Sequence, residues 1–213
     1  MTNTASTTSI VPAVAVAIRS ARPRSFVRLE TLSGTDAARR KAVSRAVEEG
    51  DLIRVRHGLY YRGVKTRYGM TGPSTVEVAL EALGRRGVGP AGFSAAREWS
   101  LTTQVPPVLH IAALKAAKDL PGITLTIRSN LDRVGLKYNE IALLELLRDP
   151  EVYVDAGWRA LVQAVFAAED SREVRVGNVL TVAARERDVA TRTNAARLRA
   201  ELAARFAAGQ AAA

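Results

Sequence analysis

The stretch that decides the fold is Gly50-Asp51-Leu52-Ile53-Arg54-Val55-Arg56-His57-Gly58-Leu59-Tyr60-Tyr61. Leu52 to Val55 and Leu59 to Tyr61 are rich in β-branched and aromatic side chains, and Arg56-His57-Gly58 between them reads as a tight turn. The segment is therefore a β-hairpin, with Gly58 supplying the positive φ that such a turn often needs. Arg54 and Arg56 alternate with Ile53 and Val55, so a period of two sends the arginines to one face and the aliphatics to the other. Immediately upstream, Gly50 ends a helix over 36–49 that Thr35 or Asp36 caps. Helical spacing places Ala38, Ala42, Val43, Ala46 and Val47 on one side of it and Arg40, Lys41 and Ser44 on the other. Arg45 lies on the flank, and Arg39 lies near the apolar stripe, where a long side chain reaches past the core edge. Further back, Ser33-Gly34 reads as a turn after the short apolar piece Phe26 to Leu32. Short helix, turn, longer helix and hairpin is the order of a winged helix-turn-helix.

Charge agrees with that order. The 213-residue chain carries a net charge of +10, and residues 1–67 hold 13 Lys and Arg against five Asp and Glu, whereas residues 68–213 hold 18 against 16. A basic third on a nearly neutral remainder is what phosphate binding asks for, so double-stranded DNA is the expected partner. A recognition helix needs small residues where backbone nears the groove and long donors to reach base edges. Arg40 and Ser44 are the expected base readers, and Thr35, Arg39, Lys41 and Arg45 divide between bases and phosphates. Arg54, Arg56, His57, Arg62 and Lys65 form a wing tip and stem that follow phosphate or a minor groove.

The rest of the chain bounds what else it does. There is no cysteine and there are two histidines, which leaves neither a disulfide framework nor a thiolate or His-rich metal site. Val11 to Ile18 is apolar but far short of a membrane span, and no Lys or Arg precedes it; a short helix over 11–21 and a cytosolic protein are expected, with no membrane partner. Arg67 to Ser74, with Gly69, Gly72 and Pro73, reads as the junction between a domain over 1–67 and a second over 75–213. In the second, helices are expected over 75–83 and 93–99, strands over 108–113 and 123–128, and helices over 139–148, 156–168 and 179–208. The fold class is thus α+β: a winged helix-turn-helix followed by a mixed α/β, mainly helical domain.

Catalysis finds no support. No Asp or Glu is followed two positions later by Lys, the element that magnesium-dependent nucleases need, and Asp132, Glu140 and Glu145 read as solvated helix faces. The run from Gly84 to Gly92 lacks the phosphate-loop pattern GxxxxGK[ST] and reads as a helix end followed by a loop. His110 falls in an apparently buried strand and reads as a core residue. No cofactor, metal or enzymatic activity is expected.

The hairpin and the helix before it resemble the amino-terminal winged helix of AbiEi-type antitoxins, whose pattern GxLxRxRxGxY is matched by Gly50, Leu52, Arg54, Arg56, Gly58 and Tyr60. Phe93-Ser94-Ala95-Ala96 followed by Leu101-Thr102-Thr103-Gln104-Val105-Pro106 is similar to a second block of that group, so the resemblance covers about residues 15–130. It implies repression of the protein's own operon at inverted repeats and neutralisation of a co-encoded nucleotidyltransferase-like toxin, with or without direct contact. A ligand-responsive winged-helix transcription factor without a toxin is the alternative that the residues leave open.

Overall fold

The computed structural model describes residues 10–211 of the chain, which is mixed α/β and divides into two compact units, Met1–Val78 and Ala79–Ala213. The divide falls inside helix α3 (Thr75–Leu83), after the glycine-rich stretch expected to form the junction. Among the described residues no helix is long and apolar enough to cross a membrane.

In the first unit, α1 (Ile10–Ser20) buries Val14 and Ile18, one turn apart on a single face. The chain then forms strand β1 (Ser25–Arg28) and one 3-10 turn, Leu29–Thr31. The expected short helix is therefore mostly strand. Its cause is distant in sequence, because β1 pairs antiparallel with β3, Val27 opposite Tyr60 and Phe26 opposite Tyr61, whose rings meet edge to face at 5.1 Å.

Helix α2 (Asp36–Glu48) starts where Thr35 caps it, the hydroxyl oxygen accepting from Ala38 N at 3.3 Å. It ends as Gly50 turns to φ +67° and Asp51 N returns to the Ala46 carbonyl at 2.8 Å. Its inner face, Ala42, Val43 and Ala46, packs with Val14, Ile18, Val27 and Leu52 into one apolar cluster. Strands β2 (Ile53–Arg56) and β3 (Leu59–Arg62) follow, joined by a turn in which Gly58 has φ +71°, and the sheet order is β1-β3-β2. A small second hairpin, β4 (Lys65–Thr66) and β5 (Gly69–Met70), occupies part of the expected junction.

The second unit contains a three-stranded sheet with the order β6-β7-β8. Strand β6 (Gly89–Pro90) runs antiparallel to β7 (Leu109–Ala113), and β7 runs parallel to β8 (Ile123–Ile127). Helix α4 (Gly92–Glu98) precedes β7, and α5 (Tyr138–Leu146) is buried from Glu140 to its end. Helices α6 (Pro150–Tyr153), α7 (Gly157–Asp170), α8 (Val176–Ala183) and α9 (Val189–Ala211) complete the unit around a core of Leu143, Leu144, Leu161, Val165, Val179 and Leu198. The single long helix expected over 179–208 is two, because Asp188 accepts from Thr191 N at 2.8 Å and from its hydroxyl, starting α9 afresh.

Asp155 fixes the segment between α4 and β7 by accepting from Thr102 Oγ1 and Thr103 N, each at 2.8 Å. The Thr103 N–H and the Thr102 hydroxyl hold its carboxyl below the usual carboxylate range.

Candidate nucleic-acid interface

The outward face of α2 presents Arg40, Lys41, Ser44 and Arg45, all exposed. Among the described residues, Arg40 and Lys41 have neither an ion pair nor a side-chain hydrogen bond. Ser44 Oγ donates to Glu48 Oε1 at 3.2 Å, and Arg45 Nε donates to Glu49 Oε1 at 2.7 Å. The Glu49 contact raises the Arg45 pKa further, yet the pair is exposed and one turn apart, so it opens at little cost. Thr35 is exposed but its hydroxyl is occupied by the helix cap.

The hairpin departs from simple alternation. Arg54 lies opposite Tyr60 and Arg56 opposite Leu59, so the register slips at Val55. Such a bulge bends the strand and re-aims the residue after it. Arg54 is exposed, whereas Arg56 and Val55 are both half-buried; the expected division into an arginine face and an aliphatic face fails at the bulge. Arg54 has no side-chain partner among the described residues, and His57 stands exposed in the turn. Between that turn and the start of α2 lies an open cleft of about 280 Å³, walled by Arg28, Arg39, Arg56 and His57 with Glu30 and Asp36. Arg28 was not among the expected contacts; it reaches the cleft because residues 25–28 form a strand.

Other expected contacts are held within the fold. Arg39 Nη1 donates to the carbonyls of Glu30 at 3.2 Å and Leu32 at 3.3 Å, and Nη2 bonds Asp36, so the side chain ties the loop before α2 to the helix. Arg62 Nη1 donates to the Ile18 carbonyl at 3.3 Å and to those of Arg19 and Ala21, placing a cation on the free carbonyls that end α1. Lys65 Nζ pairs with Asp51 at 2.5 Å. The side chains of Arg39 and Arg62 therefore serve the unit's own architecture, whereas the Lys65–Asp51 pair lies on the surface. At the tip of the second hairpin, Arg67 stacks 4.6 Å above the ring of Tyr68, which is 84% exposed, a feature hidden in sequence by the surrounding glycines.

The second unit treats charge in the opposite way. Glu140 and Glu145, expected on solvated faces, are 0% and 1% exposed. Arg175 Nε donates to Glu140 Oε1 at 2.7 Å and Lys137 N to Oε2 at 2.8 Å. Burial pulls the Glu140 pKa up, but the Arg175 guanidinium and the two backbone donors outweigh it and hold it low. Glu145 accepts from Arg133 Nη1 at 2.6 Å and Arg128 Nε at 3.0 Å. Arg133, fully buried, donates also to Glu186 at 2.7 Å, and Arg148 links Glu186 to Asp188 at 3.5 and 3.3 Å. Burial again pushes Glu186 up, and Arg133 with Asn130 and Arg148 brings it below its ordinary value. Asp132 is exposed and pairs with Arg185 at 3.0 Å.

His110, expected in the core, is exposed. Strand β7 is buried on both faces from Ile111 to Ala113, and His110, on the same face as the fully buried Ala112, is exposed because it lies nearer the start of the strand; its backbone N–H donates to the buried Ser94 hydroxyl at 2.9 Å. An open cavity of about 470 Å³ lies between the end of α4 and α7, lined by Trp99, Asn139, Ala164, Ala168, Glu98 and Glu173. Trp99 Nε1 donates to the Asn139 carbonyl at 3.0 Å, and Trp158 Nε1 to Glu201 at 2.7 Å, which accounts for both indoles within the fold. Among the described residues no group of three or more His, Asp or Glu is gathered to hold a metal ion.

No family model matches the chain, and neither does any curated protein. Among solved structures, it is similar to the crystal structure of the RV2827C protein from Mycobacterium tuberculosis, with 13% identity, a TM-score of 0.47, and coverage of 89% of this chain and 76% of that one.

Proposed function

We propose that the first unit is a winged helix-turn-helix that binds double-stranded DNA through α2 and the β2–β3 hairpin. In this reading the chain acts in the cytosol as a repressor of its own operon and as an antitoxin against a co-encoded nucleotidyltransferase-like toxin, with no catalytic role of its own. The observation that carries the DNA reading is the division of cations in the first unit. Among the described residues Arg40, Lys41 and Arg54 stand exposed without protein partners on a helix and an adjoining ribbon, while Arg39 and Arg62 are engaged internally and Lys65 pairs with Asp51. Unpaired guanidinium and ammonium groups keep their charge for phosphates and base edges. Arg40 and Ser44 read bases, the latter once released from Glu48; Lys41, Arg45 and Arg54 meet phosphate, with Arg56 and His57 at the wing tip.

The antitoxin part rests on the resemblance of the hairpin and of the 93–106 block to AbiEi-type proteins, and it assigns toxin neutralisation to the second unit. The 470 Å³ cavity favours one competing reading, a ligand-responsive regulator without a toxin, since its size suits a small molecule. The deciding experiment is a mobility-shift titration of the full chain on the DNA upstream of its own gene, with residues 1–67 deleted in the control. The reading requires a specific shift that the deletion removes, together with rescue of growth from the neighbouring toxin by the deleted chain. Absence of any specific shift overturns the DNA assignment, and failure of rescue overturns the division of labour.

A further inference from the structure

Strand β8 is the outer strand of its sheet, and the hydrogen bonds fix which of its backbone groups face outward. Leu109 N donates to Gly122 O at 2.9 Å and Arg128 N donates to Ala113 O at 2.8 Å, so the even-numbered residues of β8 turn towards β7. Ile123, Leu125 and Ile127 turn their N–H and C=O groups to the open edge; among the described residues only the Ile123 N–H finds another partner, the Leu120 carbonyl at 3.2 Å. Exposed edges are normally blunted by Lys, Pro or a bulge. The sequence Ile123-Thr124-Leu125-Thr126-Ile127 has none of these, and Ile127 is 49% exposed.

The strand reads identically in both directions. We propose that two copies of this chain pair through β8, antiparallel about a two-fold axis at Leu125, and join their sheets. In that register Leu125 lies opposite Leu125 of the second copy, Ile123 opposite Ile127, and Thr124 opposite Thr126, so each cross-strand pair is like with like. All the outward-facing residues are odd-numbered, so each meets an outward-facing residue of the other copy and their N–H and C=O groups are matched. Ile123 and Leu125 pack on the cluster of Ala79, Leu83, Val88 and Ile111, and pairing brings the two such clusters edge to edge. A foreign strand has no need of a palindrome; a second copy does. This pairing does not rest on the DNA reading, though it supplies the two-fold symmetry that an inverted-repeat operator mirrors.

The test is sedimentation equilibrium of the full chain at high micromolar concentration, with circular dichroism to verify folding. Wild type sediments at twice the 22.9 kDa chain mass. Thr124→Lys with Thr126→Lys sets like charges opposite each other twice and halves the mass, whereas Thr124→Glu with Thr126→Lys sets opposite charges together and keeps the dimer. A wild-type chain that is monomeric alone, including one that pairs only with the neighbouring gene's product, overturns the proposal. So does a dimer that survives the Lys/Lys change, or one that the Glu/Lys chain loses while folded.

Discussion

Raising salt from about 50 to 200 mM tests the DNA face, because the logarithm of affinity falls with a slope of about −0.9 per phosphate neutralised. Six engaged cations, a count the sequence alone suggests, give a loss of roughly 10³-fold over that range. The structure reduces the count. Arg39 and Arg62 are occupied, Lys65 pairs with Asp51, Arg40 is assigned to a base, and Lys41 and Arg54, without partners among the described residues, are left for phosphate. Two contacts give a loss of about 12-fold, rising to about 40-fold if the exposed Arg45–Glu49 pair opens to a third. Lys41→Ala with Arg54→Ala removes both and leaves at most the loss of about fourfold that Arg45 carries. Fluorescence anisotropy on a fixed operator duplex at several salt concentrations measures both slopes, with Arg159→Ala, an exposed site on α7, as the control that keeps the wild-type slope. A flat wild-type response, or a double variant with an undiminished slope, refutes the assignment of this face to phosphate.

Arg40→Ala alone, if Arg40 reads a guanine, weakens operator binding by about 1–3 kcal/mol and relaxes preference at one base pair, whereas Lys41→Ala weakens all duplexes alike; competition with single-substitution duplexes separates them. Arg62→Ala strips the carbonyls at the end of α1 of their charged donor and lowers stability by about 1–3 kcal/mol in urea unfolding, while the folded fraction binds DNA as before. Arg133→Ala leaves Glu145 and Glu186 buried with fewer partners and costs about 3–5 kcal/mol by the same measurement. Glu140, Glu186 and Asp188 have pKa values below their unfolded ones, so the stability they contribute is complete above the unfolded values of about 4 and falls as pH drops through the lower folded values. Unfolding on acidification therefore takes up protons, and Glu140→Gln flattens the acid limb of a stability–pH curve measured by circular dichroism.

What sequence made legible was local. The cap at Thr35, the apolar spacing of α2, the stop at Gly50 and the turn at Gly58 each depend on residues within a few positions, and each is present. Strand β1 was hidden because its partner β3 lies more than thirty residues on, and a four-residue piece has no periodicity of its own. The break between α8 and α9 did have a signal, Asp188 three residues before Thr191, outweighed by the surrounding alanine.

The charged residues teach the sharper lesson. Periodicity reports which face of an element a residue occupies, and it assumes that the polar face is wet. Glu140 and Glu145 break that assumption because their partners, Arg175 and Arg133, arrive from 35 and 12 positions away. In the first unit the same blindness ran the other way: Arg39 and Arg62 counted as surface cations until backbone carbonyls at the ends of other elements claimed them. A guanidinium has five donors, and a loop or helix end with free carbonyls satisfies them as well as a phosphate does. Charge density along a chain thus sets an upper bound on a nucleic-acid face, and the hydrogen bonds of the fold set the actual number. On the proposed reading that number is carried by one helix face and one strand, which is why removing Lys41 and Arg54 together is expected to abolish most of the salt dependence.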